Sequence, residues 1–386
     1  MIGSTRKRGA TWTAYWSTTD PATGKRVQHS KGGFRTQREA QKHLGGILES
    51  VQAGAWKPDA KLTVAELLRQ WHAAKESEGC RPATLSLYRM AGEKWLAPRL
   101  GGVEVRALTP AQVSRAVDEL RGPNGVSGGD GRGRGRLRGP LSDRSVQIAV
   151  TVLKAATAWA AATGLVGRDP LIGYKRPRAT SPAMKAWSGA QAKEFLAHVE
   201  GDDLAPAFAL ALARGMRRGE IVGLRWSAID LEAGALRVEE TRITVDGNAV
   251  ASQPKTARGR RTVPLDAVLV DMFKAHRRRQ LEERLASGGA YQDDGWVFAD
   301  KLGRPLYPDT LAERFDKLAH EAGLPRIRFH DTRHTAASLM LSAGTPVHVV
   351  AGILGHDPAM TLRTYAHVMP GQAAEAGEQL SRALLG

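Results

Sequence analysis

The apolar positions of this chain follow two rhythms. From Thr11 to Phe34 they form short β-type runs broken by turn residues: Trp12, Tyr15 and Trp16, then Asp20-Pro21-Ala22-Thr23-Gly24, then Val27. That pattern predicts a hairpin. The spacing then lengthens, with Ala40, Leu44, Ile47, Leu48 and Val51 recurring near helical intervals. Residues 1–58 therefore read as a small sheet with one helix.

A second unit opens at Thr63, where Glu66 three residues on gives a capping-box signal. Leu67, Leu68 and Trp71 make a helical stripe behind it. Helical patterns recur over Arg81–Gly101, Thr109–Gly122 and Ser142–Val166, so residues 61–168 predict an all-helical module. Residues 122–140 interrupt it with eight glycines and four arginines, a composition that forms no packed element. It reads as a basic loop, either a solvated insertion or a contact to a DNA backbone. Residues 169–187, rich in proline and basic side chains, read as a linker.

Ser188 and Gln191 open the third unit with a helix start. The stretch Leu204–Trp226 predicts a helix running through Arg214–Arg218, and "GALRVEETRI", "AVASQP" and "RRTVPL" read as strands. Helices return from Asp266. Residues 188–370 thus predict a mainly α domain with a small antiparallel sheet. The tail, 371–386, places Leu380, Ala383 and Leu384 near helical spacing, either as a frayed end or as a docking segment. The expected fold class is multidomain and mostly α: a β-sheet-plus-helix unit, an all-helical unit and a mainly α unit with a small sheet.

Charge sharpens this division. The net charge is +17, which points to a polyanion partner, nucleic acid ahead of an acidic membrane surface. Residues 1–60 carry ten basic against four acidic side chains, and residues 61–180 carry twenty against ten. Residues 181–386 carry twenty-six against twenty-five. Two polyanion-gripping units precede one that is balanced overall. No apolar run approaches the roughly 20 residues of a membrane span, and no secretory signal is expected behind the basic N-terminus. The single cysteine, Cys80, excludes an internal disulfide and a cysteine-rich zinc site. A cytoplasmic, nucleoid-associated protein is expected.

Four local signals with chemical content lie in the third unit. Arg217 and Arg218 follow a glycine turn, with Glu220 just beyond. Lys255 lies at the tip of a hairpin predicted between "AVASQP" and "RRTVPL". His330 and Arg333 share one face of a helix start. His356 follows Leu354-Gly355, and Tyr365 comes nine residues later.

In this order the residues resemble the tyrosine recombinase family, specifically phage-type integrases. "GMRRGE" is similar to the family's first arginine box, "HDTRH" to its second and "LGHDPAMTLRTY" to its third. The resemblance implies catalytic roles for Arg217, Lys255, His330, Arg333, His356 and the nucleophile Tyr365, with Glu220 as a supporting acid. Lys255 matches through its "PKT" setting among Arg258, Arg260 and Arg261. Two departures are visible: Arg214-Gly215 stands where the family box usually begins Thr-Gly, and the 122–140 insertion is long. The likeness covers essentially the whole chain. It implies the DNA breaking-rejoining fold, an arm-type DNA-binding domain at 1–58, a core-binding domain at 61–168 and a catalytic domain at 188–370. It further implies double-stranded DNA as partner, with core-type and arm-type sites, and a homotetramer on two duplexes. An excision factor or host DNA-bending protein would assist, and no metal or other cofactor is expected.

The chemistry agrees. A phenol can cut DNA and keep a covalent phosphodiester, but with a pKa near 10 only ~0.1% is phenolate at neutral pH, so it needs activation in place. The arginines offer permanently charged planar forks to the phosphoryl oxygens. His356 adds a hydrogen bond, His330 accepts the phenol proton, and Lys255 protonates the departing 5′-oxygen. Three other readings compete. His330 and His334 have the i, i+4 spacing of a zinc-binding helix, although Asp331 stands where a metallohydrolase wants glutamate. A DNA-binding regulator could keep the fold without the chemistry. A type IB topoisomerase would share the chemistry without choosing partner sites.

Overall fold

The computed structural model describes residues 3–19, 26–52, 62–123, 125, 139–178, 184–253, 259–366 and 380–385. It divides into two compact units, 1–180 and 181–386.

The first unit begins with three strands, β1 (Ser4–Arg8), β2 (Thr11–Thr19) and β3 (Arg26–Phe34), in antiparallel order β1-β2-β3. The predicted hairpin is β2–β3. Strand β1, sequence STRKR, carries no apolar pattern and is held by its ladder to β2. Helix α1 (Gln37–Gln52) packs on the sheet through Leu44 against Ala14 and Trp16. Thr36 starts it by accepting from the Glu39 amide at 3.2 Å.

The helical part comprises α2 (Val64–Ser77), α3 (Pro82–Met90), α4 (Ala97–Leu100), α5 (Pro110–Arg121) and α6 (Asp143–Ala162). A π turn over Ala91–Leu96 joins α3 to α4. Thr63 caps α2 through the Glu66 amide, although the return bond that would complete a capping box is not formed. Helix α6 is the centre: Val146, Ala149, Val150, Leu153, Ala156 and Ala160 are buried among Leu67, Trp71, Trp95 and Leu120. It is the one described helix long and apolar enough to cross a membrane, and these burials explain its apolarity as core. Of the 122–140 loop, all but 122–123, 125 and 139–140 lies outside the described residues.

The second unit holds α7 (Gly189–His198), α8 (Ala205–Arg214), α9 (Arg218–Val222), β4 (Ile229–Asp230), β5 (Ala235–Val238), β6 (Thr241–Val245), β7 (Asn248–Ser252) and β8 (Arg261–Pro264). Then come α10 (Ala267–Ser287), α11 (Pro308–Glu321), α12 (Thr332–Ser342), α13 (Val347–Leu354) and α14 (Pro358–Tyr365). Ser188 and Gln191 form a complete capping box on α7. An aromatic cluster of Trp187, Phe195, Phe208 and Phe315 ties α7, α8 and α11 together. The predicted mostly α class with small antiparallel sheets is the fold observed.

Two expectations are corrected. The chain is not helical through Arg214–Arg218: α8 stops at Gly215 in the left-handed region (φ 61°), and a new helix starts at Arg218. An added Cβ at Gly215 would run into the Leu354 side chain and press on Ala336 at 3.3 Å, so packing as well as φ requires glycine. Nor do β7 and β8 pair as a hairpin. β7 pairs with β6, while β8 pairs with β5 in a separate sheet of order β4-β5-β8.

Candidate active site

The break after α8 builds one side of the site. Arg217 is extended (φ −73°, ψ 147°) and caps α9. The Glu220 carboxylate accepts from the Arg217 amide at 2.9 Å and from its Nη1 at 2.7 Å. Glu220 is buried, yet the Arg217 side chain stays 37% exposed, so its guanidinium is oriented from behind and open in front.

Arg261, the first residue of β8, grips the same carboxylate with both ends of its fork, at 2.8 and 3.1 Å. Its Nε donates to the Ile353 carbonyl near the end of α13 at 2.6 Å. Burial alone would raise the Glu220 carboxyl. The hydrogen bond and charge of Arg261, then the charge and amide of Arg217, overturn that and hold it at about 2.

Arg333 enters from the first turn of α12 and is 2% exposed. Its Nη1 donates to the Gly215 carbonyl at 2.6 Å, and its Nη2 donates to the Leu354 carbonyl. Its Nε is buried with no partner among the described residues. Burial and the nearby Arg217 bring its pKa down to about 9, partly offset by Glu220. It remains a cation at neutral pH.

Helix α13 ends at Gly355 in the left-handed region (φ 65°), which turns the chain so that the His356 amide donates to the Ala351 carbonyl. His356 Nδ1 is buried without a partner among the described residues. Burial, then the charges of Arg333, Arg217 and Arg261, push this imidazole down to about 4, so it is neutral at pH 7.

Asp357 caps α14, Pro358 fills its first position, and Tyr365 is its last residue. The tyrosine is 1% exposed and packs among Ala337, Leu341, Val350 and Leu354. Burial pushes its phenol up, with Arg333 pulling it back. The phenol oxygen lies 2.6 Å from His334 Nδ1. His330, on the short turn Phe329–Asp331, sits edge-on to His334 with ring centroids 5.8 Å apart. Partial desolvation, then His334 and Arg333, depress the His330 ring. Arg328 braces this turn by forking onto the buried Asp331 carboxylate, at 2.7 and 3.0 Å.

Five of the six sequence candidates, Arg217, His330, Arg333, His356 and Tyr365, thus lie around one locus. Lys255 falls at 254–258, outside the described residues. His330 was expected to take the phenol proton, and the ring in hydrogen-bond contact with the phenol is His334. The i, i+4 histidine pair is accounted for the same way: one member faces tyrosine, and no group of three or more His, Cys, Asp or Glu fit to hold a metal occurs among the described residues. Arg261 also escaped the sequence reading, since in "RGRR" nothing but burial singles it out. A groove of about 700 Å³ opens beside the site, lined by Lys185, Arg217, Arg218, Arg326, Arg328 and His330. Asp316 and Asp331 line it as well, and its five Lys and Arg side chains outnumber these two carboxylates, which suits a polyanion.

The chain matches the phage integrase family over residues 188–371 and the arm DNA-binding domain over residues 1–51. It is similar to a tyrosine recombinase XerC-like protein of Caldanaerobacter subterraneus subsp. tengcongensis, 28% identical over 367 residues, which span 90% of each chain. Among solved structures it is similar in fold to a Tn1549 transposon integrase in complex with a circular intermediate DNA. The TM-score is 0.62 at 20% identity, covering 82% of this chain and 99% of that one. It is also similar to a lambda integrase in a tetramer bound to a Holliday junction, with TM-score 0.55, 18% identity, and 90% and 92% coverage.

Proposed function

The chain belongs to the tyrosine recombinase family, and we propose that it is a site-specific DNA integrase that cleaves and rejoins strands through a 3′-phosphotyrosyl intermediate. The observation that carries this reading is the convergence of a buried phenol, two arginines and a neutral histidine from four separate segments on one locus.

Tyr365 attacks the phosphorus and the P–O5′ bond breaks. The phosphotyrosyl ester stores the bond, so rejoining needs neither ATP nor a new activation step. Arg217 and Arg333 meet the charge that builds on the phosphoryl oxygens. Both are fixed before substrate arrives, Arg217 by Glu220 and Arg333 by two backbone carbonyls, so no reorganisation is needed at the transition state. Neutral His356 adds a further hydrogen bond. Lys255 is assigned the proton for the leaving 5′-oxygen.

Residues 1–58 are assigned to arm-type sites and 61–168 to the core site, with catalysis in 188–370. The tail, 371–386, is assigned to a neighbouring protomer in a homotetramer on two duplexes. Such a protein acts in the cytoplasm, at the nucleoid. It integrates a mobile element and, with an excision partner, releases it.

Suicide DNA substrates bearing the sequence that flanks its own gene test this. The intact chain is expected to form a covalent adduct mapping to Tyr365. Tyr365→Phe is expected to abolish the adduct and bind the same duplex with affinity within about 3-fold, since it loses one hydroxyl and no charge. An adduct persisting in the Phe variant rules out Tyr365 as nucleophile.

A further inference from the structure

The recombinase reading gives no task to His334, a half-buried side chain in contact with the Tyr365 phenol. We propose that His334 is the proton acceptor for the nucleophile, taking the Tyr365 phenol proton on Nδ1 as a strand is cut and returning it when the strand is rejoined. This rests on the reading of Tyr365 as nucleophile.

The geometry is that of a general base already in place. Nδ1 and the phenol oxygen are 2.6 Å apart, within the reach that proton transfer needs. The contact is set by two rigid elements: His334 sits in the first turn of α12, and Tyr365 closes α14, its ring packed against Ala337 and Leu341 of α12. No hydrogen bond joins the phenol to His330 among the described residues.

The charged and titratable groups around His334 are Asp331 and Arg328 from the turn before α12, Arg333 and His330 beside it, and His356 and Tyr365 from the chain after α13. Desolvation, opposed by Asp331 and helped by Arg328 and Arg333, depresses the ring below its ordinary value. At neutral pH it is uncharged. The buried phenol keeps its proton and donates it, so Nδ1 accepts and Nε2 carries the ring hydrogen.

A base is needed because burial disfavours free phenolate. A weak base suffices because the phenol proton becomes far more acidic as the Oη–P bond forms. In cleavage the Oη–H bond breaks and its electron pair becomes the Oη–P bond. The proton moves to Nδ1, the P–O5′ bond breaks, and O5′ takes a proton from the general acid assigned to Lys255. In rejoining, the 5′-hydroxyl gives that proton back and attacks phosphorus. The P–Oη bond breaks, and imidazolium His334 reprotonates the phenolate. Nothing is consumed.

The test is single-turnover adduct formation by the full chain on a suicide duplex from pH 5 to 9, with DNA affinity and melting temperature measured in parallel. The variants are Tyr365→Phe, His334→Asn and His334→Ala. Asparagine sets an amide where Nδ1 stands, keeping a hydrogen bond without a basic site. It is expected to bind DNA as the parent does and to cleave ~10²-fold slower. The acid limb that the parent shows as His334 protonates is expected to vanish. Added imidazole is expected to restore His334→Ala, increasingly as pH rises. Parental cleavage by His334→Asn overturns the proposal. So does a slow His334→Ala that binds DNA normally and ignores imidazole, which would leave His334 a packing role. A parent chain that forms no adduct at Tyr365 removes the nucleophile reading itself, an outcome separable from the others because it needs no variant.

Discussion

Glu220 carries more of the site than its distance from the reacting atoms suggests. It is one buried carboxylate holding two guanidiniums. Its pKa falls from 4.5 to about 2 on folding. Its stabilising contribution is therefore complete above the unfolded value and is lost as pH falls through the folded one. At pH 7 this amounts to roughly 3 kcal/mol, at 1.36 kcal/mol per unit. Glu220→Gln is expected to lower unfolding free energy by that order at pH 7, with the deficit shrinking at pH 3. Urea titrations at the two pH values check this, and an equal deficit at both would refute the carboxylate's role. Single-turnover cleavage should also drop ~10²-fold, because Arg217 loses its brace. At this scale the sequence shows which residues the fold gathers when they sit in a spaced motif, as Arg217, Glu220, Arg333 and His356 do. His334 and Arg261 were hidden for a physical reason. His334 meets a partner 31 positions away, and Arg261 links Glu220 on α9 to a carbonyl on α13. Neither contact exists before the chain folds.

Element boundaries decide how those side chains are aimed. Helices α2, α6 and α7 were legible because capping residues and apolar periodicity agree in them. The α8–α9 break was not, because Ala, Leu, Met and Arg on both sides of Gly215 all favour helix. What stops the helix is tertiary: Gly215 must turn left-handed so that its carbonyl can receive Arg333 and its face can lie against Leu354. Strands β7 and β8 were legible as strands, but their partners depend on sheets that local pattern does not encode. Gly215→Ala is accordingly expected to cost well over 1 kcal/mol, through φ strain plus a clash. It should reduce cleavage beyond what the lost stability explains. Gly323→Ala is the control: Gly323 also has positive φ (67°) but nothing within 4 Å of an added Cβ. It should lose about 1 kcal/mol and cleave as the parent does. Thermal melts and adduct rates on both variants check this, and equal losses of activity would detach Gly215 from the site.

For the whole molecule, charge is divided unevenly between the two units. Residues 1–180 hold thirty basic against fourteen acidic side chains, whereas 181–386 is nearly neutral with a core of its own. A fragment of 181–386 is expected to bind duplex DNA weakly, with a shallow salt dependence and trace cleavage at high concentration. The full chain should lose affinity steeply, with a log–log slope near −0.9 per phosphate neutralised. Deleting 1–56 is expected to abolish arm-site binding while core-site binding survives. Filter binding of the three chains on arm-only and core-only duplexes across a salt series checks this. Equal loss on both duplexes after deleting 1–56 would end the two-grip reading.

The two backbone carbonyls that hold Arg333 separate inactive alleles into two kinds. A substitution at Arg333 removes the proposed phosphate donor and also unbolts α8 from α13, leaving buried carbonyls unpaired. Such a chain is prone to unfold, and proteases lower its abundance. Its gene should behave as a recessive null. Tyr365→Phe keeps that bolt, so the chain is expected to persist, occupy the proposed attachment sites and compete with active copies. That allele should be dominant, which makes it the one to use for blocking element mobility in a cell that already carries the element.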